Sequence, residues 1–376
     1  MNDSGKELDF QGVYRLTQSG KLTLLDDSVT YPNGIGLSPD NKTLYVAVSD
    51  EEAPVWFAYD LYADGSVSKK RLFIDGPEGK LGASLIMPKC ESQCPSVVFL
   101  HGSGAQPRDA NRFSAYELAK QGIASIIYDK RGVGESEGDL SNITFEALAD
   151  DAIAIAEYLR KQPEISIVGF FGHSQGGWVA PLASLKWKHA AFVITSAGPA
   201  VPPAREAEWD VVRQLRAANV STKSEEEARK LVQRWHQGIR SGDWPTFEKY
   251  LDAAKIKSWF SHADFNNFSY KPDDVFSKSY LKFMDYEPIP VLTSLRVPLL
   301  AILATDDESI DAVETQILLQ ELKHDGHNIT LKIYDGYNHS MRKIANNNKQ
   351  VRWPTYPDDY FGLQVLFIKK SGQKLR

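Results

Sequence analysis

Residues 165–186 read ISIVGFFGHSQGGWVAPLASLK. The first seven, Ile165 to Phe171, are apolar and β-branched or aromatic, the signature of a buried strand. From Gly177 onward the residues are small and apolar, as at the start of a packed helix. Between them stands Gly172-His173-Ser174-Gln175-Gly176. A serine flanked by small residues on a strand-to-helix turn is a nucleophile elbow: the tight turn pushes the Ser174 hydroxyl into the open. The helix N-terminus behind it offers the backbone N–H of Gln175 to a developing negative charge.

The neighbouring sequence extends this pattern. After residue 82, apolar strands (82–87, 96–101, 124–128, 165–171, 191–195, 299–304 and 330–334) alternate with helical stretches (111–121, 145–162, 177–186, 311–324 and 357–369). Such alternation predicts an α/β fold with a mostly parallel sheet covered on both faces. Between Ala197 and Val297 the pattern breaks into a helical insert of about a hundred residues, rich in charge and aromatics, read as a cap over the sheet's C-terminal edge. Residues 11–75 differ: short alternating segments are separated by turns such as Ser19-Gly20, Pro32-Asn33-Gly34 and Asp64-Gly65, which predicts a small antiparallel β-meander. The expected division is therefore a meander over 1–79, a core over 80–198 and 291–376, and a cap over 199–290.

Composition narrows the function. The 376 residues are 42% hydrophobic and 24% charged, with 43 basic against 49 acidic side chains. No basic block is present, so a nucleic-acid partner is not expected. No apolar run approaches the length of a membrane span. The N-terminus lacks the apolar stretch of a signal peptide, so a cytoplasmic location is expected. The two cysteines, Cys90 and Cys94, read first as reduced thiols on a surface loop, with a small-loop disulfide as the alternative. Two thiols alone do not make a zinc site.

A serine hydroxyl needs a base, and the base needs an orienting acid. In a strand–elbow–helix architecture the chain order is Ser, acid, His. The strand ending at Ala304 leads into Thr305-Asp306-Asp307-Glu308, which offers two candidate acids that could also simply cap the next helix. The strand ending at Tyr334 leads into Tyr337-Asn338-His339, which places His339 on a loop where a base belongs. His189, His324 and His327 read as exposed. The second oxyanion donor is expected from His101-Gly102-Ser103-Gly104, where glycines let N–H groups turn inward. It is assigned to the N–H of Ser103, with His101 bracing the loop.

HGSGAQPR (101–108), YDKRGVGES (128–136), GHSQGG (172–177), DYEPIP (285–290), VPLLAILATDDESI (297–310) and GYNHS (336–340) together resemble the α/β-hydrolase superfamily, in particular bacterial carboxylesterases with a serine aminopeptidase-type core. The resemblance implies a catalytic triad of Ser174, Asp307 and His339, choosing Asp307 over Asp306. It makes the turn Asp129-Lys130-Arg131-Gly132 a structural brace. The segments GVYRLTQSGKLTLLDD (12–27), YPNGIGLSPDNKTLYVAVSD (31–50) and DGSVSKKRLF (64–73) are similar to gluconolactonase or luciferin-regenerating-type six-bladed β-propellers. In that family the asparagine of the Pro-Asn-Gly turn, here Asn33, ligates a divalent metal. The other ligands come from blades this chain lacks, so no metal and no metal-dependent lactonase activity are expected. A partial propeller leaves sheet edges unpaired. The meander is therefore expected to pack on the hydrolase body or on a second copy, as a homodimer contact.

The expected function is a serine carboxylesterase acting on a small-molecule ester, without a cofactor. Peptide, amide or lactone hydrolysis on the same triad is the alternative. An oligomerisation or binding module fused to a hydrolase fold is a reading of a different class. Of the cap aromatics Trp209, Trp235, Trp244, Trp259, Phe260, Phe265, Phe268 and Tyr270, most are expected to bury the cap on the sheet and a few to line an apolar pocket.

Overall fold

The computed structural model describes residues 8, 10–29, 31–49, 55–67, 71–90, 92–265, 275–343 and 355–373. The chain opens with a separate antiparallel hairpin of β1 (Val13–Leu16) and β2 (Leu22–Asp26). Five antiparallel strands follow: β3 (Pro32–Leu37), β4 (Thr43–Val48), β5 (Val55–Asp60), β6 (Arg71–Gly76) and β7 (Gly79–Ile86). The alternating part then runs β8 (Cys94–Leu100), α1 (Arg112–Ala119), β9 (Ala124–Tyr128), α2 (Phe145–Arg160), β10 (Ile165–His173), α3 (Gly176–Lys186) and β11 (Ala190–Ser196). The cap comprises α4 (Pro203–Ala217), α5 (Thr222–Ser241), α6 (Trp244–Lys255), α7 (Val275–Leu281) and α8 (Pro288–Ser294). The chain returns with β12 (Leu299–Ala304), α9 (Ala312–His324), β13 (Ile329–Tyr334) and α10 (Tyr360–Gln373).

Eleven strands form one sheet in the order β13-β12-β11-β10-β8-β9-β7-β6-β5-β4-β3. The pairings from β9 to β13 are all parallel. β12 shows why the sheet is covered twice. Leu299, Ala301 and Leu303 join a core with α2, α3 and α9, while Leu300, Ile302 and Ala304 join a second core with α1 and α10. Successive side chains point to opposite faces, so a strand apolar at every position must be buried on both.

The antiparallel strands are not a separate layer. The expected boundary at residue 79 falls inside the β6–β7 hairpin, where Gly76 pairs with Gly79. Val46, Val48, Phe57, Tyr59, Leu72 and Ile74 belong to the same core as Ala83, Val98 and Phe170. The meander therefore extends the main sheet edge-on, through hydrogen bonds, rather than packing across its face. Among the described residues its outer strand, β3, ends the sheet with no further strand paired to it.

The cap has a core of its own. Leu215, Leu231, Trp235, Phe247, Trp259 and Met284 are buried against one another. α5 starts where the Ser221 hydroxyl accepts the Ser224 N–H and stops at Gly242, whose φ of 72° is the left-handed cap glycine adopts readily. Trp235, Trp244 and Trp259, expected to bury the cap on the sheet, instead fill this internal core. Phe260 and Phe265 stack at 4.7 Å beside it, and Phe268 and Tyr270 lie outside the described residues. The cap meets the body at, among other contacts, Phe283 stacked on Phe145 at 4.9 Å and the Tyr286 hydroxyl, which donates to the Trp178 carbonyl at 3.3 Å.

Cys90 and Cys94 are joined in a disulfide, which corrects the reading of two reduced thiols. Cys94 is buried at the start of β8, and the short loop brings the two Cα atoms to 6.0 Å, an ordinary span for a bridge. No helix among the described residues is long and apolar enough to cross a membrane.

Candidate active site

β10 ends at His173, α3 begins at Gly176, and Ser174 between them has φ of +52°. A non-glycine residue in this left-handed region costs about 1–2 kcal/mol, which the surrounding packing must hold in place. The glycines explain how. A Cβ on Gly172 would overlap the Gly176 carbonyl, and one on Gly177 would overlap the Gly198 backbone. The Ser174 N–H is fixed to the Ser196 carbonyl at 3.2 Å, and its carbonyl accepts the Gly177 N–H at 2.7 Å.

The loop after β12 carries Asp307 and the loop after β13 carries His339. His339 Nδ1 lies 2.9 Å from Asp307 Oδ1 and 3.0 Å from Oδ2. Oδ1 also accepts the N–H groups of Ser309 at 2.8 Å and Ile310 at 3.1 Å, so the carboxylate is held from three sides. Its side chain is fully shielded from solvent. Asp306 points elsewhere: it is exposed and accepts the Thr305 hydroxyl at 3.2 Å. The His339 ring lies against His173, centroids 4.9 Å apart, and so beside the elbow. Among the described residues the Ser174 hydroxyl makes no hydrogen bond to His339. Catalytic contacts of this kind are often long before substrate binds.

His173 occupies the variable position of the elbow motif, where the sequence pattern marks no role for it. It is held by its Nδ1 on the Ser196 carbonyl at 3.0 Å. Burial, with the His339 ring alongside, pushes its pKa down to about 4. It is therefore a neutral wall against which His339 rests. His101 is likewise buried, bonded through Nε2 to the Tyr128 carbonyl, with its pKa lowered by burial to about 4. It braces the strand end and is not placed to serve Ser174.

The loop after β8 borders the serine: a Cβ on Gly102 would come within 3.4 Å of the Ser174 Cβ. The Gly102 N–H is already taken by Gln106 Oε1 at 3.0 Å. Ser103, the expected donor, lies next along this exposed loop. Gln175 sits at the N-cap of α3, where the first N–H groups lack intrahelical acceptors. Behind both lies Lys130, whose ammonium donates to the carbonyls of Gly102 and Gly104 and to Gln175 Oε1. Its turn is fixed by Arg108 paired with Asp129 at 2.6 Å and by Arg131 paired with Asp151 at 2.7 Å.

The cap reaches the acid loop through Glu206 on α4, whose Oε2 accepts the Asp311 N–H at 2.8 Å. Burial pushes the Glu206 carboxyl up to about 8. Trp209, one turn further, lines a cavity of about 210 Å³ with Val201, Arg205 and Asp311. At the other end of the molecule Asn33 is exposed on β3 and donates to the Ser49 hydroxyl at 3.1 Å.

A parallel sheet continued by antiparallel strands, an elbow after its central strand, an acid and a histidine after the last two strands, and a helical insert between them define a known architecture. The chain has the α/β-hydrolase fold. Residues 91–252 match the family described as serine aminopeptidase, S33, and residues 1–88 match the SMP-30/gluconolactonase/LRE-like region. Esterase EstD of Thermotoga maritima is 23% identical over 283 residues, 73% of this chain and 60% of that protein. The gluconolactonase of Zymomonas mobilis is 39% identical over 67 residues, only 18% of this chain and 19% of that protein. Among solved structures, esterase Pf2001 of Pyrococcus furiosus superposes with a TM-score of 0.50 at 17% identity, covering 91% of this chain and 97% of that one. In this chain, strands β3 to β7, which lie within the stretch similar to gluconolactonase-like proteins, are part of the same sheet as the α/β-hydrolase fold.

Proposed function

We propose that the protein is a serine carboxylesterase acting through an acyl-enzyme. Ser174 Oγ attacks the ester carbonyl carbon as its proton passes to His339 Nε2. The carbonyl π pair moves to oxygen, and the resulting oxyanion is held by the N–H groups of Gln175 and Ser103. Asp307 keeps the proton-bearing Nδ1 of His339 directed at itself and stabilises the imidazolium. Collapse of the tetrahedral adduct expels the alcohol, which leaves with the proton from His339. Water, deprotonated by the same histidine, then attacks the acyl carbon. The acid departs and Ser174 regains its hydrogen.

The observation that carries this reading is the shielded Asp307 bonded through both oxygens to His339, whose ring rests against the residue preceding a strained Ser174. The esterase relatives support the ester as substrate class. Amide hydrolysis is the second reading, drawn from the aminopeptidase description of the matching family.

A panel of p-nitrophenyl acyl esters, lactones and aminoacyl amides, run with the wild type and Ser174→Ala, tests both. Ester turnover is expected to dominate and to fall on the order of 10⁴–10⁶-fold in the variant. Dominant amide turnover lost in the same variant would move the protein to the second reading. A Ser174→Ala protein that keeps more than about a tenth of the esterase rate removes the nucleophile assignment.

A further inference from the structure

Lys130 is an unusual residue to find beneath the elbow. It follows β9 and is about 1% exposed, yet none of the ion pairs among the described residues includes it. Its Nζ meets three neutral oxygens instead: Gly102 O at 2.9 Å, Gly104 O at 3.1 Å and Gln175 Oε1 at 2.7 Å. An ammonium has three protons, so its donor capacity is fully used. Burying an unpaired cation is costly, and burial lowers its pKa to about 8. A neutral apolar side chain would fill the space without that cost.

The geometry gives the charge a task. The peptide between Gly102 and Ser103 is trans, as are all the described peptide bonds, so its C=O and N–H point in opposite directions. With the Gly102 carbonyl aimed at Lys130, the Ser103 N–H is aimed away from it. The Gly102 N–H cannot substitute, because Gln106 Oε1 accepts it. The same ammonium holds the side chain of Gln175, the residue that supplies the other donor. A carbonyl that accepts from a cation also polarises its own peptide N–H. The charged residues on either side of Lys130 in the chain, Asp129 and Arg131, are paired with Arg108 and Asp151.

We infer that Lys130 is the positioning residue of the oxyanion hole, its unpaired ammonium aiming the Ser103 N–H and tying the loop after β8 to Gln175. This rests on the serine-hydrolase reading.

The test uses the full chain, p-nitrophenyl butyrate and an alkyl trifluoromethyl ketone. Ser174 Oγ adds to the ketone carbonyl, His339 takes the proton, and the ketone oxygen becomes an oxyanion like that of the transition state. Lys130→Met is expected to lower kcat on the order of 10²-fold with KM within about two-fold, and to weaken the ketone by the same factor as kcat/KM. Gln175→Glu keeps an acceptor for Lys130 and supplies the missing countercharge. It is expected to lower kcat and ketone affinity about ten-fold or more while melting like the wild type, and it decides the matter if Lys130→Met does not fold. Folded variants whose kcat and ketone affinity stay within about three-fold of the wild type overturn the inference. A wild type whose Ser174 takes no fluorophosphonate label overturns the serine-hydrolase reading itself, which separates the two failures.

Discussion

The carboxyl of Glu206, on the first cap helix, accepts the backbone N–H of Asp311, four residues beyond the carboxylate that holds His339. The cap is thus fastened to the acid loop by one buried group. Burial is the main reason its pKa rises from 4.5 to about 8; Asp311 and Asp307 add repulsion, and Arg205 together with the bond from the Asp311 N–H offsets part of it. Its other oxygen, Oε1, has no hydrogen-bond partner among the described residues. The folded state therefore favours the protonated form. The stability this gives is complete below about 4.5 and is lost as the pH climbs through about 8. Glu206→Gln keeps an acceptor for the Asp311 N–H but cannot ionise. Thermal melts should show the variant gaining on the wild type between about pH 5 and pH 9, by a few kcal/mol at the alkaline end. A difference that does not change with pH would show that Glu206 does not titrate in this range.

Asp307→Asn should depress kcat/KM on p-nitrophenyl esters on the order of 10³–10⁴-fold, because a neutral amide neither stabilises the imidazolium nor enforces the tautomer. Asp306→Asn should stay within about two-fold, since that carboxylate is exposed and, among the described residues, bonded only to its neighbour's hydroxyl. Steady-state kinetics on both variants check the ranking, and a larger loss at Asp306 would reverse the assignment.

The elbow glycines and a helix glycine should respond in opposite ways. Gly172→Ala drives a methyl into the Gly176 carbonyl and should cost roughly 1–3 kcal/mol or more, with activity lost as the turn opens. Gly362, in α10, has open space where a Cβ would go and no positive φ. Gly362→Ala should stabilise the protein by about 1 kcal/mol. Denaturant melts of the pair check both signs; a neutral Gly172→Ala would mean the turn is looser than its contacts indicate.

Much of this architecture is local and therefore legible. β9 and β12 begin and end where the apolar runs 124–128 and 299–304 do, because turn residues bracket each run. The elbow was readable because a strand, a glycine-flanked serine and a small-residue helix are adjacent in the chain. What could not be read depends on distant pairing. Nothing in residues 71–86 announces that β6 and β7 carry the meander into the main sheet; that follows from Ala83 meeting Tyr128 across β9. Lys130 reads only as part of a bracing turn until the carbonyls of Gly102 and Gly104 are folded over it. Glu206 is one charge among many in the helical insert, and the packing of α4 on the acid loop buries it. A four-residue cysteine spacing left the thiols' pairing open, and the buried start of β8 decides it.

The β3 edge of the sheet, which pairs with no further strand among the described residues, leads to an expectation about assembly. β3 ends the eleven-stranded sheet, and Pro32-Asn33-Gly34-Ile35-Gly36-Leu37 carries no charge. Proteins usually protect such an edge with lysine, a bulge or a covering loop, because its unpaired N–H and C=O groups recruit other strands. Here Ile35 is 66% exposed and Leu37 53%, and the nearby hairpin leaves Leu16 69% and Leu22 62% exposed. An antiparallel partner of the same sequence would satisfy the edge and cover these side chains at once, with the two-fold symmetry that dimers favour. We propose that two copies pair through β3. The combined substitution Ile35→Lys and Leu37→Lys places charge on that edge, far from the elbow in the strand order. Light scattering coupled to size exclusion should find a wild-type dimer converted to a monomer, with esterase activity per chain retained. Removing residues 1–79 would be a poorer test, because it strips β6 from β7 and opens the shared core. A wild type that stays monomeric at concentrations up to about 100 μM, beyond the range in which standard-size interfaces associate, would rule out the pairing.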